Sequence, residues 1–286
     1  MDRNGIDTAI LSLSAPGLAF APSASVATLA RETNQACAAI RDAHPDRFGF
    51  FATLPLDADP NSVQTTLTEL AYALDTLHAD GVTLLTSYAG TYLGHARFRP
   101  LWEELNRRRA VVFVHPTSPP TGAGGARPDP GAGPGVPPPI IDFPHETTRA
   151  AVHMITGNVV RDFPDVKIIL SHGGGTLPFV AARIAHLGAD AGVLGGGGGK
   201  TAEEFLREAK GFYFDLALTG FGGPVELVLG FAEEGHVLWG SDFPFAREGT
   251  VRKQLETVAV LGGGDNTVRG LVESGAALRL FPRLAE

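Results

Sequence analysis

Short apolar runs, rich in β-branched residues, recur along the chain between longer segments whose apolar positions return at helical spacing. Seven such runs stand out: Thr8–Leu13, Arg47–Leu54, Gly81–Leu85, Ala110–His115, Lys167–His172, Phe212–Leu216 and Val237–Asp242. The spacing predicts helices over Ser25–His44, Ser62–His78, Arg97–Arg109, Glu146–Phe163, Leu177–His186, Pro224–Glu234 and Val251–Leu261. A strand that repeatedly leads into a helix is the signature of βαβ units, and so of a parallel sheet in an α/β fold.

Two segments break this rhythm. Residues 117–138 are dense in proline and glycine, which predicts an irregular excursion between a strand end and the next helix, with Pro144 and Glu146 suiting that helix's first turn. Residues 195–199 are five glycines followed by Lys200 and Thr201. A phosphate-binding loop would need a glycine at position 194, where Leu194 stands, so a glycine-rich linker is the expectation. At the other end, Asn4-Gly5 is a helix-stop signal with only three residues before it. Seven strands and the tail of one more helix fit a (β/α)8 TIM-like barrel whose first βα unit precedes Met1, read as a single domain over residues 1–286. An open dinucleotide-binding sheet lacks its marker, because Ser-Ala-Pro-Gly rather than a Gly-x-Gly-x-x-Gly turn follows Leu13.

Composition narrows the function classes. With 44% hydrophobic and 19% charged residues in 286, the chain can bury an enzyme-sized core. A formal charge of −8 without a basic cluster argues against nucleic acid and against a membrane surface. No apolar run reaches the roughly 18 residues that span a bilayer, and no signal-peptide layout opens the chain. One cysteine, Cys37, permits neither a disulfide framework nor a cysteine-rich zinc site, so a reducing cytoplasm is expected.

In parallel α/β folds chemistry gathers at the carboxyl ends of the strands. Three runs end in metal-competent side chains there: His115, His172 and Asp242. Imidazole and carboxylate are the donors zinc and manganese take, and separate strands can supply them without a short motif. Each alone could equally cap a helix or satisfy loop amides; three at equivalent strand ends point to a site. The other histidines follow ordinary patterns: His44, His78 and His186 at helix ends, His236 before a strand, His153 inside a helix and His95 in a loop. His145, beside the proline-rich excursion, could face a pocket. Gly173-Gly174-Gly175 either lets the backbone pass close to a ligand at His172 or makes a tight strand-to-helix turn.

The segments Phe113-Val114-His115-Pro116, Leu170-Ser171-His172-Gly173-Gly174 and Trp239-Gly240-Ser241-Asp242-Phe243-Pro244-Phe245 resemble the amidohydrolase-related branch that holds aminocarboxymuconate-semialdehyde decarboxylase and the γ-resorcylate-type decarboxylases. Met1 to Ile6, Arg47 to Pro55, Asp80 to Val82 and Pro144 to Arg149 are similar to the 6-methylsalicylate decarboxylase group. The resemblance implies metal-dependent, non-oxidative decarboxylation of an ortho-hydroxy aromatic acid on a distorted barrel. It implies His115 and Asp242 as metal ligands, Asp242 also as a proton carrier, and His172 as the acid/base or the residue that orients the substrate. Zinc is the expected ion, manganese the second choice, and no organic cofactor is implied. The family's His-x-His or Glu-x-His pair on the first strand has no counterpart before Thr8, which again places a βα unit upstream; Glu234-Gly235-His236 matches in letters but enters a strand at the wrong end. A homodimer or higher homo-oligomer is expected. Two alternatives stand beside this reading: a metal-dependent lactone or amide hydrolase, and a truncated barrel that binds without catalysis.

Overall fold

The computed structural model describes residues 1–57, 59, 62–118, 136–195, 199–261 and 266–285. Most of the predicted Pro/Gly-rich excursion and the centre of the glycine run lie outside the described residues. The chain divides into two compact units, Met1–Val166 and Lys167–Glu286.

The first unit opens with a single 3-10 turn, Asp2–Asn4, closed by Gly5 at φ 63°, so the helix-stop signal is used on one turn. Its strands are β1 (Ala9–Leu11), β2 (Phe48–Thr53), β3 (Gly81–Leu85), a small antiparallel hairpin of β4 (Ser87–Tyr88) and β5 (Thr91–Tyr92), and β6 (Val111–His115). β1, β2, β3 and β6 run parallel, with Leu11 opposite Phe50, Thr53 opposite Thr83 and Leu85 opposite His115. The helices are α1 (Ser23–Ala43), α2 (Ser62–Asp75), α3 (Arg99–Arg107), α4 (Pro138–Thr156) and α5 (Val159–Asp162).

α1 buries Val26, Ala30, Asn34 and Ala38, every fourth residue, which is one stripe of a helix. Asn34 is the polar member of that stripe, and both ends of its amide are used. Nδ2 donates to Thr53 O at 2.9 Å and to Glu69 Oε1 at 2.8 Å, while Oδ1 accepts from Thr53 N at 2.8 Å. Arg31 completes the group, donating from Nε to Glu69 at 2.7 Å with its guanidinium 3.6 Å above the Tyr72 ring. On α3, Leu101, Trp102 and Leu105 are buried, and the indole nitrogen donates to Leu93 O at 2.9 Å.

α4 departs from the expected boundary. It starts at Pro138, with proline in its first turn, so Pro144 lies inside the helix rather than at its start. Thr147 and Thr148 turn their hydroxyls back onto Phe143 O (3.2 Å) and Pro144 O (3.0 Å) beside it.

The second unit contains β7 (Lys167–Leu170), β8 (Tyr213–Asp215) and β9 (Val237–Leu238), parallel, with Leu170 opposite Phe214 and Asp215 opposite Leu238. Its helices are α6 (Leu177–Asp190), α7 (Ala202–Lys210), α8 (Gly222–Phe231), α9 (Glu248–Ala259), α10 (Asn266–Gly270) and α11 (Ala276–Leu280), with a π-helical turn at Leu271–Gly275. Phe205, Phe212 and Phe214 are buried in its core.

α7 was not expected between β7 and β8. A capping box opens it, with Thr201 Oγ1 accepting from Glu204 N and Glu204 accepting from Thr201 N. Lys200 is buried against Glu208, a structural ion pair that accounts for this lysine without any phosphate. Among the described residues, no helix is long and apolar enough to cross a membrane.

Candidate active site

In the first unit His115 is the last residue of β6 and is 7% exposed. Its Nδ1 lies 2.8 Å from Pro116 O. A carbonyl only accepts, so Nδ1 carries the proton and Nε2 keeps the lone pair, the tautomer a metal ligand needs. The backbone around it is pinned by Thr86, whose N–H donates to His115 O (3.0 Å) and whose hydroxyl accepts from Thr117 N (3.1 Å). Phe143 of α4 packs edge-on against the imidazole, ring centroids 6.1 Å apart at 86°.

Glu146 was expected to greet a helix dipole and instead is a fully buried carboxylate. It accepts from Tyr92 OH at 2.7 Å and from Arg149 Nη1 at 2.5 Å. Burial, and then the Glu146 carboxylate, push the Tyr92 phenol far up from its ordinary value. His145 is exposed on α4, and His95 caps a short 3-10 turn by accepting from Arg97 N.

In the second unit the structure brings His172 and Asp242 together, with Nε2 3.9 Å from Asp242 Oδ1. That distance is an ion-pair approach, not a hydrogen bond. The two arrive from the ends of β7 and β9, and both have left-handed backbones, φ 56° at His172 and 54° at Asp242. β7 stops at Leu170, two residues before the left-handed His172, and β9 at Leu238, both earlier than the apolar runs suggested. Residues 173 and 174 are also left-handed, and a Cβ at either would lie 2.6 Å from Thr219 Cγ2 or 2.7 Å from Phe214 Cε1. The glycines therefore serve a tight turn packed on β8 and its loop.

Asp215, the last residue of β8, had not been singled out from the sequence. It is 7% exposed, its Oδ1 accepts from His172 N (3.0 Å) and Ala217 N (2.9 Å), and burial above all raises its carboxyl to about 6. The legible signal was an acid inside an otherwise apolar strand, Phe212–Leu216.

An amidohydrolase family model matches residues 1–283. The chain belongs to the amidohydrolase family. This amidohydrolase is 49% identical to the decarboxylase yanB of Aspergillus niger, over 99% of the chain and 77% of the relative. It is 43% identical to the 6-methylsalicylic acid decarboxylase of Penicillium expansum, over 98% of the chain and 83% of the relative. Among solved structures it resembles a dihydroxybenzoic acid decarboxylase from Polaromonas, described with bound manganese and the inhibitor 2-nitroresorcinol. That likeness has a TM-score of 0.82 at 24% identity and covers 99% of this amidohydrolase and 83% of that chain. The fold class is thereby the α/β, TIM-like barrel of the amidohydrolases.

Proposed function

We propose that the chain is a metal-dependent, non-oxidative decarboxylase of an ortho-hydroxy aromatic carboxylic acid, 6-methylsalicylate or a near analogue, acting as one amidohydrolase-type domain. The observation that carries this reading is the meeting of His172 and Asp242 at two strand ends, in a chain 43% identical over 98% of its length to a 6-methylsalicylic acid decarboxylase.

His115, through Nε2, and Asp242 are the proposed metal ligands. Their donor set, one imidazole nitrogen and a carboxylate oxygen, suits zinc, the ion expected from the sequence; the manganese described for the Polaromonas neighbour makes that ion the second candidate. A bound divalent ion supplies positive charge to the substrate carboxylate and its ortho oxygen. His172 delivers a proton from Nε2 to the ring carbon that bears the carboxylate. The bond from that carbon to the carboxylate then breaks, its electron pair restores the aromatic ring, and carbon dioxide leaves. Asp242, 3.9 Å from the imidazole nitrogen, is the group through which His172 regains its proton.

A cytoplasmic homo-oligomer completes the proposal. The lone cysteine, Cys37, suits a reducing compartment, and exposed Phe243 and Phe245 are apolar surface that a second copy would cover. The test is to load the purified protein with zinc or manganese and follow 6-methylsalicylate. Carbon dioxide and 3-methylphenol in equal amounts are the expected products. Hydrolysis of lactones or amides, with hydroxybenzoates left intact, would overturn the reading.

A further inference from the structure

Each of the three strands of the second unit runs into a left-handed, non-glycine residue: His172 after β7, Leu218 after β8 and Asp242 after β9, at φ 56°, 55° and 54°. Such conformations persist where neighbouring groups hold them. One side chain reaches all three turns. Asp215 accepts the amide protons of His172 and Ala217 on a single oxygen, at 3.0 and 2.9 Å. On the third side, a Cβ at Gly240 would come 3.1 Å from the Asp215 carboxyl carbon, so the turn after β9 lies directly against it.

The amide of His172 leaves β7 just where the regular pairing with β8 ends, at Leu170 opposite Phe214. A buried N–H at that point needs an acceptor. Asp215 is that acceptor, and by binding Ala217 on the same oxygen it fixes the His172 backbone relative to the loop that carries Leu218.

We propose that Asp215 is a positioning residue: its Oδ1 holds the His172 backbone in the left-handed conformation that sends the imidazole toward Asp242. The proposal rests on the reading of His172 as the acid/base. A residue that only stabilised the fold would change the melting temperature and leave turnover per folded molecule alone. A positioning residue lowers kcat at nearly constant KM, because the imidazole is misplaced for the proton transfer while the substrate still binds.

The experiment compares metal-loaded wild type, Asp215→Ala, Asp215→Asn and His172→Ala. It reads kcat and KM for carbon dioxide release from 6-methylsalicylate, and hydrogen exchange at the His172 amide. Asparagine keeps an acceptor oxygen in place without the charge. Asp215→Ala is expected to lower kcat by about 10- to 100-fold with KM within about twofold, the scale on which misplacement of a reacting group acts. Its His172 amide should exchange at least about tenfold faster as the turn opens locally. Asp215→Asn should recover most of both losses. Wild-type turnover in Asp215→Ala, or an Asp215→Asn as damaged as the alanine variant, overturns the proposal. If the alanine variant does not fold, Asp215→Glu decides, since it keeps the charge but moves the oxygens; a similar kcat loss supports the proposal, and normal turnover overturns it. Should wild type release no carbon dioxide, the decarboxylase reading fails, while amide exchange in the asparagine and alanine variants still tests the backbone hold.

Discussion

Tyr92 and Glu146 meet across a 2.7 Å hydrogen bond that ties the β4–β5 hairpin to the interior of α4, one turn beyond the Phe143 that packs on His115. Because Glu146 is fully buried, its carboxylate depends on its donors. Tyr92→Phe removes one donor without changing shape and is expected to destabilise the protein by about 1–3 kcal/mol. The urea midpoint of unfolding measures it. A midpoint equal to wild type would show that the bond contributes nothing.

Gly94 and Gly157 let the chain after β5 pack closely on the end of α4. A Cβ on Gly157 would lie 2.4 Å from Gly94 O, and one on Gly94 would lie 2.0 Å from His153 O. Neither glycine is left-handed, so the demand is for space. Gly94→Ala should force α4 away and cost about 1–3 kcal/mol or more, the range of overpacked cores. Thermal melting checks this, and an unchanged melting temperature would mean that the helix gives way freely.

Metal content separates the proposed roles of the three strand-end residues. His115→Ala and Asp242→Ala should each leave the purified protein with less zinc or manganese. His172→Ala should keep its metal and lose about 10²- to 10⁴-fold in kcat, the usual contribution of a general acid or base. Elemental analysis beside steady-state kinetics gives both numbers. Metal loss in His172→Ala alone would reverse the assignment.

His153 makes stability pH-dependent. Burial first, and His95 second, lower its pKa, and its Nδ1 is buried with no hydrogen-bond partner among the described residues. A folded pKa below the unfolded value of about 6.5 means that the fold prefers the neutral ring. That contribution is complete above the unfolded pKa and is lost as pH falls toward the folded one. His153→Gln cannot take up this proton. Between about pH 7.5 and about pH 5, wild type should therefore lose more melting temperature than the variant. Parallel losses in both would show that other groups set the acid response.

The strands were legible because each run is largely apolar, and all seven runs contain one. The end of β7 was not, since a left-handed backbone at His172 follows from contacts between distant turns and leaves no trace in hydropathy. The β4–β5 hairpin escaped because its two-residue strands are too short for alternation to register. α7 did carry a signal, Thr201-x-x-Glu204, masked by the glycine run just before it. His172 and Asp242 could be picked out as strand-end donors, but Asp215 required the fold, because its partners are backbone amides that any sequence supplies. Glu146 was read by its place near a helix start; the helix began earlier, and so its role changed.

The amide of Asn34 bears on how the protein avoids clumping. Strand β1 covers the outer side of β2 only as far as Phe50, and the N–H and C=O of Thr53 beyond it face Asn34 instead of another strand. One side chain thus imitates the edge of a neighbouring strand and occupies the place where a foreign β-segment would begin to add. Any slackening of α1 would uncover that template. Slow self-association on warming, seeded at residues 51–54, is then the form in which a weakened α1 would first become visible, ahead of any loss of helix content.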